Sequence, residues 1–558
     1  MKMIKKGVKT SLVIALMGGT SVFAQSITDV KQAIDAEQYQ KANTTLKGMI
    51  SAKPADAPNY FYLGNLYLNS GYADSAQTTF SKGISADGKY PLNYVGLGAL
   101  ALRANNTALA EENFKKAIDQ AGKKDNDPYI YVAKAYVAAP KPNYAAAITH
   151  LQKAIALDAK DAEAYLALGD AYRGQEKISE AFSAYRTAFD LNKNLLRAKI
   201  ELGVINKRAQ AWQESLDEFN SVLKINPNYG PAYREMAETY LRWANTATET
   251  ADYESRIKNA LNSYVKYMDL TDRSMDSRMR YADFLVLSKD FKTLEKEAQE
   301  MARLDQTNPR IYRYLGYSAY ENGHYAESLK ALNNWISKVD KDRLIAHDYL
   351  YLGKAQMKTD TTNMATGIQN LAKAIELDST LAEQMSAIGK DLFAAKKYDE
   401  AAQVYELALK GPKPSVTDRF YIGYSHYFNY IFNVPADKKA QFKSSLVRAD
   451  TAFNNVNKVV PTYALAYIYR ARINKLMDDD QSPKGLAVPY YEKFIEIQAA
   501  APAQNENNKK DLIESYNYLA NYYSKNDTNK SKELLKKTLA LDPANEYATA
   551  ALKALASQ

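Results

Sequence analysis

The sequence AEAYLALGDAYRGQEKISEAFSAYRTAFDLNKNL, residues 162–195, predicts two amphipathic helices joined by a short turn. On each helix, side chains at steps of three or four residues share one face. They are Tyr165, Leu168, Gly169 and Tyr172 on the first helix and Ala181, Tyr185 and Ala188 on the second. Gly174 is predicted to supply a flexible or left-handed turn residue. Because Gly169 and Ala181 are small, the two helices are expected to cross at roughly 8–10 Å. The hairpin would still leave one face for a neighbour to cover.

Leu-Gly and Ile-Gly dipeptides recur along the chain at a spacing of 34 residues. The pairs are Leu63-Gly64 with Leu97-Gly98, Leu168-Gly169 with Leu202-Gly203, and Ile388-Gly389 with Ile422-Gly423. This period, with tyrosines and small residues at matching places, resembles the tetratricopeptide repeat (TPR) family. The resemblance implies an all-α fold: a right-handed superhelical α-solenoid of about thirteen TPR hairpins with a C-terminal capping helix.

The repeat pattern also predicts how the chain is divided. Residues 1–24 are predicted as a signal peptide, 25–245 as an N-terminal TPR array, 246–543 as a C-terminal TPR array with longer inserts, and 544–558 as the capping helix. The boundary between the arrays lies where the period breaks, between Trp243 and Asp252, and we expect a bend there. The last helix is expected to cover the end of the solenoid, which would otherwise be exposed.

The N-terminus has the three parts of an export signal. Four lysines precede an apolar stretch from Leu12 to Met17, and Val22-Phe23-Ala24 ends in the small residue that precedes cleavage. The apolar stretch is too short to span a bilayer, and without cysteine the chain cannot carry a lipoprotein anchor. We therefore expect an exported bacterial TPR protein without stable membrane insertion. Its predicted location is the periplasm, with the cell surface or the extracellular space as the alternative.

Composition argues against several classes of partner. The net charge of +9 comes from 73 basic and 64 acidic residues, and falls to +5 once the four leader lysines are removed. So small an excess does not favour nucleic acid or an anionic membrane as a partner. The absence of cysteine also excludes disulfides, which a large helical core does not need.

The usual local signatures of catalysis and cofactor binding are missing from the sequence. Without cysteine there is no thiol nucleophile and no zinc–thiolate site. The four histidines lie in different repeats and at no metal-binding spacing, and the acidic run 478–480 lacks the ligand spacing of an EF-hand. No glycine-rich phosphate loop is present, since the Leu-Gly glycines are predicted inside helices. We predict no enzyme activity, no cofactor and no metal.

The family resemblance implies that partners bind the concave surface, which the first helix of each hairpin lines. It places the second, fifth, ninth, twelfth and thirteenth residues of each repeat inward. The protein-binding residues predicted on this basis are Arg197, Lys207, Arg208, Arg234 and Arg313, with Arg242 and Arg310, in a basic stripe, and Tyr317, Tyr320, Tyr424 and Tyr427, with Phe420 and Phe428, in an aromatic zone. Arginine and tyrosine are enriched where interfaces concentrate their binding energy. The alternative is that nearby glutamates such as Glu201, Glu235 and Glu238 neutralise the arginines, and that the tyrosines pack against neighbouring helices.

Two functions remain open at this level. The first is a noncatalytic scaffold of the bacterial cell envelope that holds partner proteins in its groove. The second is a glycan- or peptide-binding protein of envelope maintenance or nutrient capture that uses tyrosines as stacking platforms. The chaperone-binding TPR subtype is disfavoured, because Phe61, Asn65, Val95 and Ala99 stand where its lysine–asparagine clamp would require other residues. Oligomeric state and partner identity are not predicted.

Overall fold

The computed structural model describes residues 26–361, 364–479, 482–499 and 506–556, and every regular element within these ranges is helical. The all-α solenoid of helical hairpins is thus confirmed. The predicted signal peptide lies outside the described residues. Within the described ranges, no helix is both long enough and apolar enough to cross a membrane.

The chain divides into two compact units, Met1–Asp290 and Phe291–Gln558. The helices of the first unit are α1 Ile27–Asp35, α2 Tyr39–Ala52, α3 Ala57–Asn69, α4 Ala73–Ala86, α5 Leu92–Arg103, α6 Thr107–Gln120, α7 Asp127–Val137, α8 Tyr144–Leu157, α9 Ala162–Gly174, α10 Ile178–Leu191, α11 Leu196–Arg208, α12 Trp212–Ile225, α13 Gly230–Ala244, α14 Thr250–Leu270 and α15 Met275–Leu287. From α1 to α14, consecutive helices pair as hairpins. The predicted array boundary at 245/246 falls between α13 and α14, and about half of the polar insert 245–255 forms the first turns of the long α14. Whether this break is a bend stays a prediction.

The second unit continues the pattern with more irregular connections. Its helices are α16 Phe291–Leu304, α17 Arg310–Glu321, α18 Tyr325–Lys338, α19 Ala346–Thr359, α20 Ala365–Leu377, α21 Met385–Ala394, α22 Tyr398–Ala408, α23 Val416–Phe428, α24 Lys443–Val459, α25 Ala464–Met477, α26 Val488–Ala499, α27 Glu506–Tyr523, α28 Thr528–Leu541 and α29 Glu546–Ala556. A π-helical turn, Asn429–Asn433, and a 3-10 turn, Ala436–Phe442, fill the connection between α23 and α24. The predicted capping helix corresponds to α29, which packs on α28 and buries Ala548 and Leu555.

In several hairpins, the turn between the two helices has a left-handed residue two positions before the second helix. Glu37, Glu176 and Gln210 adopt φ values of 59°, 60° and 61° there, and Gly71 and Gly323 occupy the same place. The prediction that Gly174 supplies the left-handed residue is therefore wrong, because that residue is Glu176. Gly174 ends α9 and lies against the ring of Tyr144, so a side chain at this position would have to displace that ring.

The helix crossing predicted for residues 162–195 is present. Ala181 is fully buried, as is Tyr185, whose ring lies against Gly169 so closely that a Cβ there would be 2.4 Å away. The Tyr185 hydroxyl donates a 2.9 Å hydrogen bond to Asp170. The large ring on one helix and the missing side chain on the other therefore set the distance between α9 and α10.

Candidate functional site

The inward positions of the early repeats line a cavity of about 430 Å³ in the first unit, which we call the N-terminal cavity. The lining residues at these positions are Phe61, Asn65, Leu68 and Asn69 of α3, Val95, Ala99 and Arg103 of α5, Tyr131 and Ala135 of α7 with Ala138 directly after it, Glu163 and Leu166 of α9, and Arg197 of α11. The family rule for inward residues therefore agrees with the geometry of this unit. Of the predicted binding residues, Arg197 lines this cavity.

The first hairpin also lines this cavity. Lys31, Ile34 and Asp35 of α1 and Tyr39 of α2 are among the lining residues. Beyond them, Ala36 is buried in one cluster with Leu196 of α11 and residues of the α12–α13 region. The N-terminal hairpin therefore reaches the concave side of hairpins that lie more than 150 residues further along the chain.

Polar contacts fasten the tip of this hairpin to α13 and α14. The Glu37 carboxylate accepts hydrogen bonds from Arg234 and, at 2.8 Å, from the Tyr267 hydroxyl. The Gln38 amide donates to the Leu270 carbonyl at 3.3 Å, and the Gln40 backbone N–H donates to Asp272 at 2.7 Å. We call these contacts the latch. The latch fixes one end of the cavity wall.

Removing the charge of Glu37 is expected to loosen the latch. Glu37→Gln should destabilise the docked hairpin by about 1–2 kcal/mol, since Arg234 loses one carboxylate partner but keeps Glu235 at 3.1 Å. Hydrogen exchange of residues 27–52 should become roughly tenfold faster. Glu112→Gln removes a solvent-exposed partner of Lys116 in the same unit and should leave that exchange unchanged. Equal exchange in both variants would contradict a holding role for Glu37.

Cations outnumber carboxylates around the cavity. Lys134 pairs with Glu163 at 2.7 Å, and Arg197 pairs with Asp170 at 2.7 Å. Asp35 lies among these groups, and burial, with Glu163 as the next cause, raises its pKa to about 6. Lys134, Arg197 and Lys31 oppose that rise. Protonation of Asp35 is thus favoured by folding.

The raised pKa of Asp35 makes a prediction about pH. The folded state binds the Asp35 proton more tightly than the unfolded state, so this contribution to stability is complete below pH 3.8 and is lost as pH rises through about 6. Asp35→Asn should therefore raise the free energy of unfolding at pH 7.5 by about 1–3 kcal/mol, and by nothing below pH 4. Urea unfolding at both pH values measures this difference. Asp74→Asn, at an exposed site, should change it by less than about 0.5 kcal/mol.

Most of the predicted basic stripe in the first unit is paired within the chain. Lys207 is buried with Glu235, and Arg234 contacts both Glu37 and Glu235. Arg208, by contrast, is exposed, and no carboxylate of the described residues lies within 4.0 Å of it. The alternative that nearby glutamates neutralise the arginines therefore fits Arg234. Lys207 is likewise paired with Glu235, and Arg197 is paired mainly with Asp170. The role of all these residues in protein binding stays a prediction.

Arg313 and Tyr317 belong to a buried network in the second unit. The Arg313 guanidinium holds the Asp348 carboxylate at 2.9 and 2.8 Å, and the Tyr317 hydroxyl donates to the same carboxylate at 2.7 Å. Asp348 has no exposed surface, and Tyr317 is 3% exposed. Burial, with Asp348 as the next cause, raises the pKa of Tyr317 well above its ordinary value. These two predicted binding residues join α17 to α19.

Three of the predicted aromatic residues, Tyr424, Tyr427 and Phe428, pack into one aromatic cluster in the second unit. Tyr424 stacks on Phe393 with ring centres 5.2 Å apart, and its hydroxyl lies 3.2 Å from that of Tyr469. Tyr427 packs edge-on against Phe428, which stacks on Phe432 at 5.3 Å. Phe432 is 62% exposed. We call Phe393, Tyr424, Tyr427, Phe428, Phe432 and Tyr469 the aromatic surface. Tyr320 lies apart from it, against Tyr325 and Tyr351.

The histidines and acidic groups are arranged as separate structural residues. Among the described residues, no three His, Asp or Glu side chains are placed to hold a metal ion. His150 stacks on Tyr136, and His324 contacts Glu295 at 2.9 Å. In the acidic turn, Asp478 accepts hydrogen bonds from the backbone N–H groups of residues 484–486, while Asp480 lies outside the described residues.

Sequence reasoning did not identify Lys31, Asp35 and Lys134 as lining residues. Lys31 and Asp35 lie on α1, which the repeat pattern treats as an ordinary first helix. Lys134 occupies the eighth position of its repeat, outside the inward set. The sequence signal that points to such lining residues is the charge of Glu163 and Arg197, which lie at inward positions of adjacent repeats. Charges at these positions require partners of opposite sign nearby.

Comparison with known families and curated proteins identifies the repeats in part of the first unit. Residues 143–175 match a family described as TPR repeat, and residues 166–230 match one described as Tetratricopeptide repeat. Hsp70-Hsp90 organizing protein 1 of Glycine max is 21% identical over 245 residues, which are 43% of this chain and 40% of that protein. Superkiller complex protein 3 of Homo sapiens is 25% identical over 101 residues, 18% of this chain and 6% of that protein. The chain thus spans 40% or less of the length of these relatives.

Two solved structures with similar segments are described as TPR proteins. The C-terminal part of a TPR repeat-containing protein from Cytophaga hutchinsonii is 29% identical, with a TM-score of 0.32, covering 49% of this chain and 98% of that one. The structure titled YrrB, a TPR protein with an unusual peptide-binding site, is 21% identical, with a TM-score of 0.22, covering 35% of this chain and 96% of that one. The chain contains tetratricopeptide repeats, and the family matches lie within residues 143–230.

Proposed function

We propose that this protein is a noncatalytic scaffold that is exported to the bacterial cell envelope and binds a partner protein on the aromatic surface of its second unit. The observation that carries this proposal is the exposure of Phe432, at 62%, at the edge of a stacked aromatic cluster. Tyrosine and phenylalanine of this kind supply large contact area at low cost in side-chain entropy.

The pairing of charges in the first unit supports the proposal that the partner binds the second unit. Arg197, Lys207 and Arg234 already contact carboxylates of the chain, so a partner would have to replace those contacts. The concave side of the first unit is also occupied by α1 and the tip of its hairpin. A partner docking there would first displace the chain's own helix. The aromatic surface imposes no such competition.

Photo-crosslinking in the native cell tests the docking surface. Probes at Phe432 and Tyr427 should capture one discrete envelope protein, identified by mass spectrometry. Tyr317 is unsuitable as a probe position because its side chain is buried against Asp348. A probe at Lys373, which is half exposed on α20, should not capture that protein. Equal capture at all three positions, or none at Phe432 and Tyr427, would contradict the proposal.

A separate measurement tests export. If residues 1–24 are removed by a signal peptidase, N-terminal sequencing of the protein from the envelope fraction should begin at Gln25. A chain that keeps Met1 and stays in the cytoplasmic fraction would contradict export. The test of export is independent of the test of the docking surface, which depends only on the crosslinking result.

A further inference from the structure

We propose that the N-terminal cavity binds a small organic anion that carries one negative charge on an apolar, ring-containing body. The cavity volume of about 430 Å³ falls within the size range of small-molecule sites in proteins. It is formed by α3, α5, α7, α9 and α11, and α1 supplies a further wall, so it is a partly enclosed cavity and not an open groove for a folded partner.

One wall of the cavity is aromatic. Phe61 packs edge-on against Tyr131, with ring centres 4.9 Å apart, and against Tyr62 at 5.2 Å. The Tyr62 and Tyr131 hydroxyls lie 3.1 Å apart, so their polar ends satisfy each other. Val95 and Leu66 add aliphatic surface beside these rings. Such a wall favours the apolar, ring-containing body of a ligand.

Two of the four cations that line the cavity have no carboxylate partner. Lys134 and Arg197 are paired with Glu163 and Asp170, as described above. In the described part of the chain, no carboxylate oxygen lies within 4.0 Å of the cationic nitrogens of Lys31 or Arg103. An unpaired cation in a partly enclosed site attracts an anion more strongly than it would in bulk water.

Arg103 is the better anchor of the two. Its guanidinium donates hydrogen bonds to the Leu68 carbonyl and, at 2.8 Å, to the Asn69 side chain, which fix its orientation at the end of α3. Among the described residues these contacts use two of its five N–H groups, leaving three for a ligand. Lys31 is already close to the Tyr62 ring, at 5.7 Å from its centre.

The sum of charges favours an anion of one charge. The four lining cations, with Arg173 behind Arg197, face four carboxylates, which leaves one positive charge in excess. The carboxylates are Asp35 and Glu163 on the cavity wall and Asp170 and Glu201, which Arg173 and Arg197 share. A cationic ligand would increase this excess, and a dianion would overcompensate it. A monoanion held by Arg103, with its body against the aromatic wall, brings the local charge to balance.

A pair of matched probes tests this inference on the purified protein. 8-Anilinonaphthalene-1-sulfonate carries one negative charge on a two-part aromatic body, and N-phenyl-1-naphthylamine has the same body without the charge. The anionic probe should bind at one site at least tenfold more tightly than the neutral probe, as measured by calorimetry and by fluorescence. Equal affinity of the two probes would overturn the proposal.

Variants of the cavity assign the site. Arg103→Gln should lower the affinity for the anionic probe at least tenfold, so that the two probes bind equally well. Arg103→Lys should keep part of the higher affinity for the anionic probe. Ala99→Phe should fill the cavity and abolish binding of both probes there. Arg186→Gln removes an exposed cation outside the cavity and should leave binding of both probes unchanged. If Arg103→Gln lowers the melting temperature, the result for Ala99→Phe tests the proposal instead. Unchanged binding of the anionic probe to the Ala99→Phe variant would overturn the proposal. Because the site lies in the first unit, neither result bears on docking at the aromatic surface.

Discussion

The substitution Ala181→Arg is expected to unfold the hairpin of α9 and α10. Ala181 is fully buried in a cluster with Ala162, Leu166 and Tyr185, so a guanidinium there would be taken out of water without a partner. Burial of an unpaired charge and overfilling of the helix crossing both destabilise the folded state. Together we expect them to lower the free energy of unfolding by about 4 kcal/mol or more.

The loss should be local, because a solenoid couples mainly neighbouring hairpins. Hydrogen exchange should accelerate most between Asp161 and Leu202, and α17 in the second unit should keep its protection. Ser183→Arg is the matched control: Ser183 lies two residues further along the same helix and is exposed, so the change should stay within about 0.5 kcal/mol. Unchanged protection between Asp161 and Leu202 in Ala181→Arg would show that the predicted helix register is wrong.

The hairpins were predictable because their determinants are local. The spacing of tyrosines, glycines and alanines identifies both helices of residues 162–195, and the period repeats this unit along the chain. The inward positions follow from helix geometry once the start of each repeat is known. Phe61, Val95 and Tyr131, at the fifth position of three successive repeats, accordingly line one cavity.

What the sequence could not indicate depends on contacts between distant parts of the chain. Glu37 meets Tyr267 across 230 residues, and no local pattern sets that distance. The role of Gly174 was also assigned wrongly, because its neighbour is the Tyr144 ring of the preceding hairpin and not the turn that follows. The pairing of charges between adjacent repeats could be predicted from the sequence only in part. The glutamates near the arginines were visible, but the choice of partner depended on side-chain positions.

Loss of the Arg313 guanidinium is expected to destabilise the second unit by about 3–5 kcal/mol, because it leaves the Asp348 carboxylate buried without a cation. Asp348 has no exposed surface and also accepts the backbone N–H of Ile345 at 2.9 Å, at the start of α19. The arginine side chain further covers the Trp335 ring, with 4.5 Å between the guanidinium carbon and the ring centre. Arg313→Met keeps much of this apolar contact and removes the charge.

Urea unfolding of four proteins separates the charge from the packing: the parent, Arg313→Met, Asp348→Asn and the double variant. A neutral amide at position 348 no longer needs a cation. Arg313→Met should therefore lower the free energy of unfolding by about 1–3 kcal/mol less in the Asp348→Asn background than in the parent. Arg303→Met is the control for an arginine–carboxylate pair in water, because Arg303 is mostly exposed beside Glu300, and it should cost less than about 0.5 kcal/mol.

The same experiment decides between two roles for Arg313. A residue held for partner binding would leave the free energy of unfolding nearly unchanged when replaced, and its removal would weaken only capture of the partner. A residue that neutralises Asp348 would show the full loss of stability in the isolated protein, with the loss reduced in the double variant. The 2.8 and 2.9 Å contacts, the complete burial of Asp348 and the low exposure of the Arg313 side chain lead us to expect the second result. A change below about 1 kcal/mol in Arg313→Met would instead favour the interface role predicted from the sequence.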